Sequence, residues 1–170
     1  MAIPLRRAVA ASAAALITVA GLTACSPEIK GVTGVSVDGS GQPVAMLAWC
    51  ASHPPDVVLL FDATADDRHP RRTEWDWPGR EYRVPDDATS PATVPLTGFP
   101  PSTLPTGVVD FAMYAATDDN SFSAARVTFR LADLAGLKPG LVLVTGYQDE
   151  SESLRELTLE EFARRGAEEC

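Results

Sequence analysis

Residues 31–50, GVTGVSVDGSGQPVAMLAWC, decide the fold. Two apolar runs flank Asp38-Gly39-Ser40-Gly41. Asp-Gly between such runs is a hairpin signal, because glycine adopts positive φ at little cost. Val32, Val35 and Val37 open the first strand. The second, Pro43–Cys50, alternates Val44, Met46, Ala48 and Cys50 on one face with Ala45, Leu47 and Trp49 on the other. Both faces of this strand carry apolar residues.

The same grammar continues outward. After Pro54-Pro55 comes Asp56–Asp62, whose centre Val57–Phe61 is an unbroken apolar run, as in a strand covered on both sides. Arg72–Trp77 alternates strictly, Thr73, Trp75 and Trp77 against Glu74 and Asp76, and reads as a fourth strand. Seven prolines lie between Pro78 and Pro105. That stretch reads as loop or polyproline, with at most a short edge strand near Ala92–Leu96. Strand patterning returns at Gly107–Ala116, Ser123–Leu131 and Leu141–Tyr147, with Asp118-Asp119-Asn120-Ser121 as a turn. Asp149–Glu152 reads as a polar connector. The tail is helical: Thr158 and Glu161 form a capping box, Leu159, Phe162 and Ala163 an apolar face, and Gly166 a stop. About seven short strands and one short C-terminal helix predict a mainly β fold, an immunoglobulin-like antiparallel β-sandwich, with a small barrel as the alternative.

Composition agrees with one folded domain. The chain has 170 residues, 45% hydrophobic and 22% charged, with 14 prolines and 12 glycines. That apolar share supports a core and excludes wholesale disorder. The net charge of −9 argues against nucleic acid as a partner, since a phosphate backbone requires a Lys/Arg surface.

Residues 1–24 have the layout of a secretory signal: Arg6 and Arg7, then an uncharged Ala-rich run to Leu22 that is shorter than the ~20 residues of a membrane span. Its end, Leu22-Thr23-Ala24-Cys25, resembles the lipobox of bacterial lipoproteins. The resemblance implies that the Cys25 sulfur carries diacylglycerol and that cleavage precedes it. One acyl chain binds membranes marginally and two give a stable anchor. An ordinary signal peptide and a retained membrane helix are the alternatives. Residues 25–30 would then be a short tether with the lipidated Cys25, and 31–170 a single domain. Loss of Arg6 and Arg7 lowers the basic residues from 14 to 12 against 23 acidic ones, a net charge of −11.

With Cys25 assigned to lipid, Cys50 and Cys170 remain as an even pair in a disulfide-permissive compartment. A disulfide between them would tie down the C-terminus; two free thiols are the alternative. The layout also resembles a group of small actinobacterial lipoproteins of unknown function. The resemblance rests on the Gly34–Val44 hairpin, Cys50, Glu74-Trp75, and Thr158–Phe162 followed by Cys170. It implies fold and location, and no catalytic residue.

Signatures of chemistry are sparse. There is no G-x-S-x-G elbow, zinc spacing or phosphate-cradling glycine loop. His53 and His69 both read as loop residues. Met46, Cys50 and His53 lie close in sequence, but a blue-copper centre requires two His, with the Met after the second. Asp62, Asp66 and Asp67, and Asp118-Asp119-Asn120, do not match a calcium loop and read as solvated turns. No cofactor or metal is expected. Trp75, Trp77 and Tyr82 are candidate ligand-binding residues, because two same-face Trp can stack on a sugar; the alternative is that they fill the core. The sequence thus predicts a lipid-anchored, extracytoplasmic binding or interaction module at the cell membrane. Its partners would be the membrane, through the N-terminal lipid, and an envelope protein or glycan. A glycan-directed enzyme or a transporter accessory subunit is the alternative.

Overall fold

The computed structural model describes residues 26–63, 77, 79–103, 109–148 and 151–170. Ten strands and two helices follow in the order β1 (Glu28–Val37), β2 (Pro43–Trp49), β3 (Val57–Asp62), β4 (Arg80–Arg83), β5 (Ala92–Pro95), β6 (Phe111–Ala116), β7 (Phe122–Ala125), β8 (Val127–Phe129), α1 (Leu131–Leu134), β9 (Leu141–Gln148), β10 (Ser151–Thr158) and α2 (Leu159–Glu168). The protein is mainly β, as the turn-punctuated alternation predicted.

All ten strands join one hydrogen-bonded network. The deciding hairpin forms as expected, with Val37 opposite Pro43 and Gly31 opposite Trp49. Its turn is held by the Asp38 carboxylate, which accepts hydrogen bonds from the Ser40 and Gln42 N–H groups at 2.8 and 2.9 Å. From β2 the path runs to β5; from β1 it runs through β7, β6 and β3 to β4. The ends β4 and β5 approach each other, and the Arg80 guanidinium crosses the gap to donate to the Thr97 carbonyl. The result is a sheet nearly closed into a barrel.

Two features depart from the antiparallel sandwich. Strand β1 pairs in parallel with β7, Glu28 opposite Phe122, so the sheet is mixed. The same edge of β1 then passes to β9, antiparallel at Val35–Leu143. Where β1 changes partner, buried hydroxyls complete the hydrogen bonding: Thr33 Oγ1 accepts from the Ala115 N–H at 3.1 Å and Ser36 Oγ donates to the Leu141 carbonyl at 2.6 Å. Buried backbone groups must find such partners when the ladder breaks.

Several expected boundaries shift. The fourth strand read at Arg72–Trp77 lies outside the described residues except for Trp77, which is not in a strand; β4 lies at Arg80–Arg83. The run Ser123–Leu131 divides into β7, β8 and the start of α1, a second helix. Much of the stretch leading to the tail is a full strand, β10, paired along its length with β9. Strand β1 begins at Glu28, so three residues read as tether are strand.

The core has two layers. Inside the barrel, Val35, Ala45, Leu47, Val58 and Leu60 meet Phe99, Phe111, Met113 and Phe129. Outside it, α2 covers β1, β2 and β9, with Phe162 fully buried among Val32, Val44, Met46, Ala48, Val142 and Val144. Burying one such phenylalanine contributes about 1.5–3 kcal/mol. This is why β2 is apolar on both faces. The capping box of α2 forms as predicted, Thr158 accepting from the Glu161 N–H and the Glu161 carboxylate from the Thr158 N–H. Gly166, however, is not a stop: it lies inside α2, buried against Ala48. Cys50 and Cys170 are joined as a disulfide with Cα atoms 6.1 Å apart, which fastens the end of α2 beside the end of β2.

Candidate functional site

The strand β8 supplies one wall of an open cleft of about 310 Å³; the β9–β10 hairpin supplies the other. The two walls are not joined by a backbone ladder. Instead the Thr128 N–H donates to Thr145 Oγ1 at 3.0 Å, while Leu154, opposite Thr145 on β10, packs against the barrel core. Asp110, Arg130, Asp133 and Glu152 bring charge to the rim.

Each charged group at the cleft already has a structural partner. Arg130 is ion-paired with Asp110, and that hydrogen bond, with the adjoining negative charge, holds its guanidinium above the usual arginine value. The Asp133 carboxylate accepts the Arg130 N–H at 2.7 Å and so caps α1. Glu152 accepts from Arg126 at 3.2 Å and from the Tyr147 hydroxyl at 3.3 Å. Exposed ion pairs of this kind contribute little stability, typically under about 1 kcal/mol. In each of these contacts only one oxygen of the carboxylate is engaged: Oδ1 of Asp110, Oδ2 of Asp133 and Oε1 of Glu152.

A second hollow, about 350 Å³, lies on the outer face of β3, β4 and β6. Its floor is half-buried and apolar: Leu59, Phe61 and Tyr114, with Phe61 and Tyr114 edge-to-face at 6.0 Å. Arg80 and Glu81 stand at its margin.

Trp77 and Tyr82 do not form an open stacking face. Trp77 packs edge-to-face on Phe111 at 5.5 Å and against Phe99 at 6.1 Å. Tyr82, opposite Val58, is half-buried against the same core. Its hydroxyl is buried without a hydrogen-bond partner among the described residues, and burial pushes the phenol above its usual value. Trp75 lies outside the described residues, as do Cys25, His69, Asp66 and Asp67. Copper geometry does not arise: the Met46 sulfur lies in the outer core layer accepting from Thr93 Oγ1, and Cys50 is in the disulfide. His53 is an exposed loop residue whose ring lies tilted against Phe122, centroids 5.4 Å apart.

The aspartates of the second calcium-like run are turn formers. Asp118 pairs with Arg83 at 2.8 Å. Hydrogen bonds from the Ser121 side chain and backbone hold the Asp119 carboxyl below the usual range. Among the described residues no three His, Cys, Asp or Glu side chains gather as metal ligands. Sequence reasoning missed the cleft because its residues come from five separate segments, with no shared spacing to mark them. No family model, curated protein or solved structure matches the chain.

Proposed function

We propose that the chain is a lipid-anchored, extracytoplasmic binding or interaction module of the cell envelope, tethered through Cys25. The observation that carries the reading is the Cys50–Cys170 disulfide, because such bonds persist in oxidising compartments outside the cytoplasm. The export signal ending Leu22-Thr23-Ala24-Cys25 is consistent with that location. The resemblance to small actinobacterial lipoproteins supports the same address. The ion pairs and cap made by the cleft carboxylates Asp110, Asp133 and Glu152 account for these residues structurally without a catalytic role, which is compatible with a module.

Cell fractionation tests the anchor. Wild type should be recovered with membranes and Cys25→Ala in the soluble fraction; membrane recovery of the variant would refute lipidation. The glycan-directed enzyme is the second reading, favoured only by the presence of several carboxylates around one cleft. Turnover of cell-wall glycan by the purified mature domain, abolished in Asp110→Asn or Glu152→Gln, would establish it and overturn the module.

A further inference from the structure

We infer that the end of the barrel where β1 starts is the membrane-facing surface of the domain, with a phospholipid bilayer as its neighbour. The inference rests on the Cys25 anchor proposed above. Strand β1 begins at Glu28, three residues after Cys25. Three extended residues span at most about 11 Å. The strand itself has 10 residues and is about 33 Å long at ~3.3 Å per residue. A lipid on Cys25 therefore keeps the Glu28 end of β1 within about 11 Å of its attachment point, while the Asp38 turn can lie about 33 Å farther away.

Pairing register shows what shares that end. Glu28 lies opposite Phe122, Ser123 opposite Ala116, Ala116 opposite Val57, and Val57 opposite Arg83. The segments 50–56, 84–91 and 117–121 therefore cluster around the start of β1. They are knit into one rigid rim: the Cys50 N–H donates to the Lys30 carbonyl at 3.2 Å, the Val84 N–H to the Asp56 carbonyl at 3.0 Å, and the Asp118 N–H to the Asp56 carboxylate at 2.8 Å. The disulfide brings the chain's other terminus to the same place. Because the strand and rim move together, the short tether orients the whole domain.

The chemistry of this end suits proximity without insertion. Ile29, 44% exposed, is the second residue of β1; Tyr147, 69% exposed, lies near the end of β9, which runs antiparallel to β1 and so ends toward the start of β1. Around them the rim carries Glu28, Asp56, Asp86, Asp87, Asp118 and Asp119 against Lys30 and Arg83. This excess of acid over base disfavours approach of the rim to an anionic surface within the ~8 Å screening length.

Energy transfer on vesicles tests the orientation. The mature lipidated protein, Cys25–Cys170, is reconstituted into phosphatidylcholine vesicles bearing an acceptor dye on the headgroups, with a donor at Asp87→Cys on the rim or Gly39→Cys at the far turn. Quenching several-fold stronger at position 87 is expected. Equal quenching, or stronger quenching at position 39, on vesicle-bound protein overturns the orientation while leaving the anchor intact. Protein that fails to stay on the vesicles overturns the anchor itself.

Discussion

Gly166 of α2 lies directly on Ala48 of β2: a Cβ built at position 166 would come within 2.8 Å of both the carbonyl carbon and the oxygen of Ala48. Helix and strand can approach this closely only because one of the two carries no side chain. Two residues beyond Ala48 the disulfide from Cys50 reaches Cys170, so the same contact is enforced covalently.

Gly166→Ala should therefore destabilise the protein. In an open helix the change would gain about 1 kcal/mol from propensity. Here the added methyl meets backbone that cannot yield, and overpacking of this kind costs about 1–3 kcal/mol. Urea unfolding with the disulfide intact reads the difference. Gly136→Ala, where a Cβ meets nothing within 4 Å, serves as the control and should show no loss.

Breaking the disulfide should loosen α2 first. A loop closed across 120 residues limits the unfolded chain and is worth about 2–4 kcal/mol in typical proteins. Cys170→Ser should lower the unfolding free energy, read from urea titration, by that order. Hydrogen exchange should accelerate in α2 more than in β3 or β6. Unchanged exchange in α2 would show that the docked Phe162 suffices.

Thr33→Val tests the hydroxyl at the fork of β1. The substitution keeps shape but leaves the buried Ala115 N–H without its acceptor. An unsatisfied buried donor costs about 1–3 kcal/mol. Stability should fall by that amount, and exchange of the Ala115 amide should rise.

Tyr82→Phe should act in the opposite direction. It removes a buried hydroxyl that has no partner among the described residues and leaves the ring in place. Stability should hold or rise by up to about 1 kcal/mol. A clear loss would show that the hydroxyl is bonded in solution.

Acid should fray the start of α2. The Thr158 N–H and hydroxyl, bonded to the Glu161 carboxylate, hold its pKa below the ordinary value of 4.5. A carboxyl depressed in the folded state contributes stability that is fully present above its unfolded pKa and lost as pH falls through the folded one. Protection of the Thr158 amide, the intrinsic exchange rate at the same pH relative to the observed one, should therefore fall on acidification below pH 4.5, and Glu161→Gln should flatten that dependence. Thr158→Ala should cost about 1 kcal/mol at neutral pH.

What the sequence determined by itself was local. The Asp38–Gly41 turn, the double-sided apolar β2, the continuous run of β3 and the capping box at Thr158 each depend on residues a few positions apart. The pairing of Cys50 with Cys170 was also legible, because only two cysteines remained once Cys25 was set aside. Tertiary structure decided the rest. Ser151 and Glu152, read as the end of the polar connector Asp149–Glu152, begin β10; its apolar residues Leu154 and Leu157 fall on opposite faces, one against the barrel core and one against the α2 layer, so no apolar stripe marks the strand. The parallel pairing of β1 with β7, which makes the sheet mixed, is made by backbone groups that every residue possesses. The role of Gly166 and the gathering of Asp110, Arg130 and Glu152 around one cleft depend on which distant segments meet. Side-chain periodicity records which face of a strand is buried. It does not record which neighbour the edge bonds to, and that choice is what turned an expected antiparallel sandwich into a nearly closed mixed barrel.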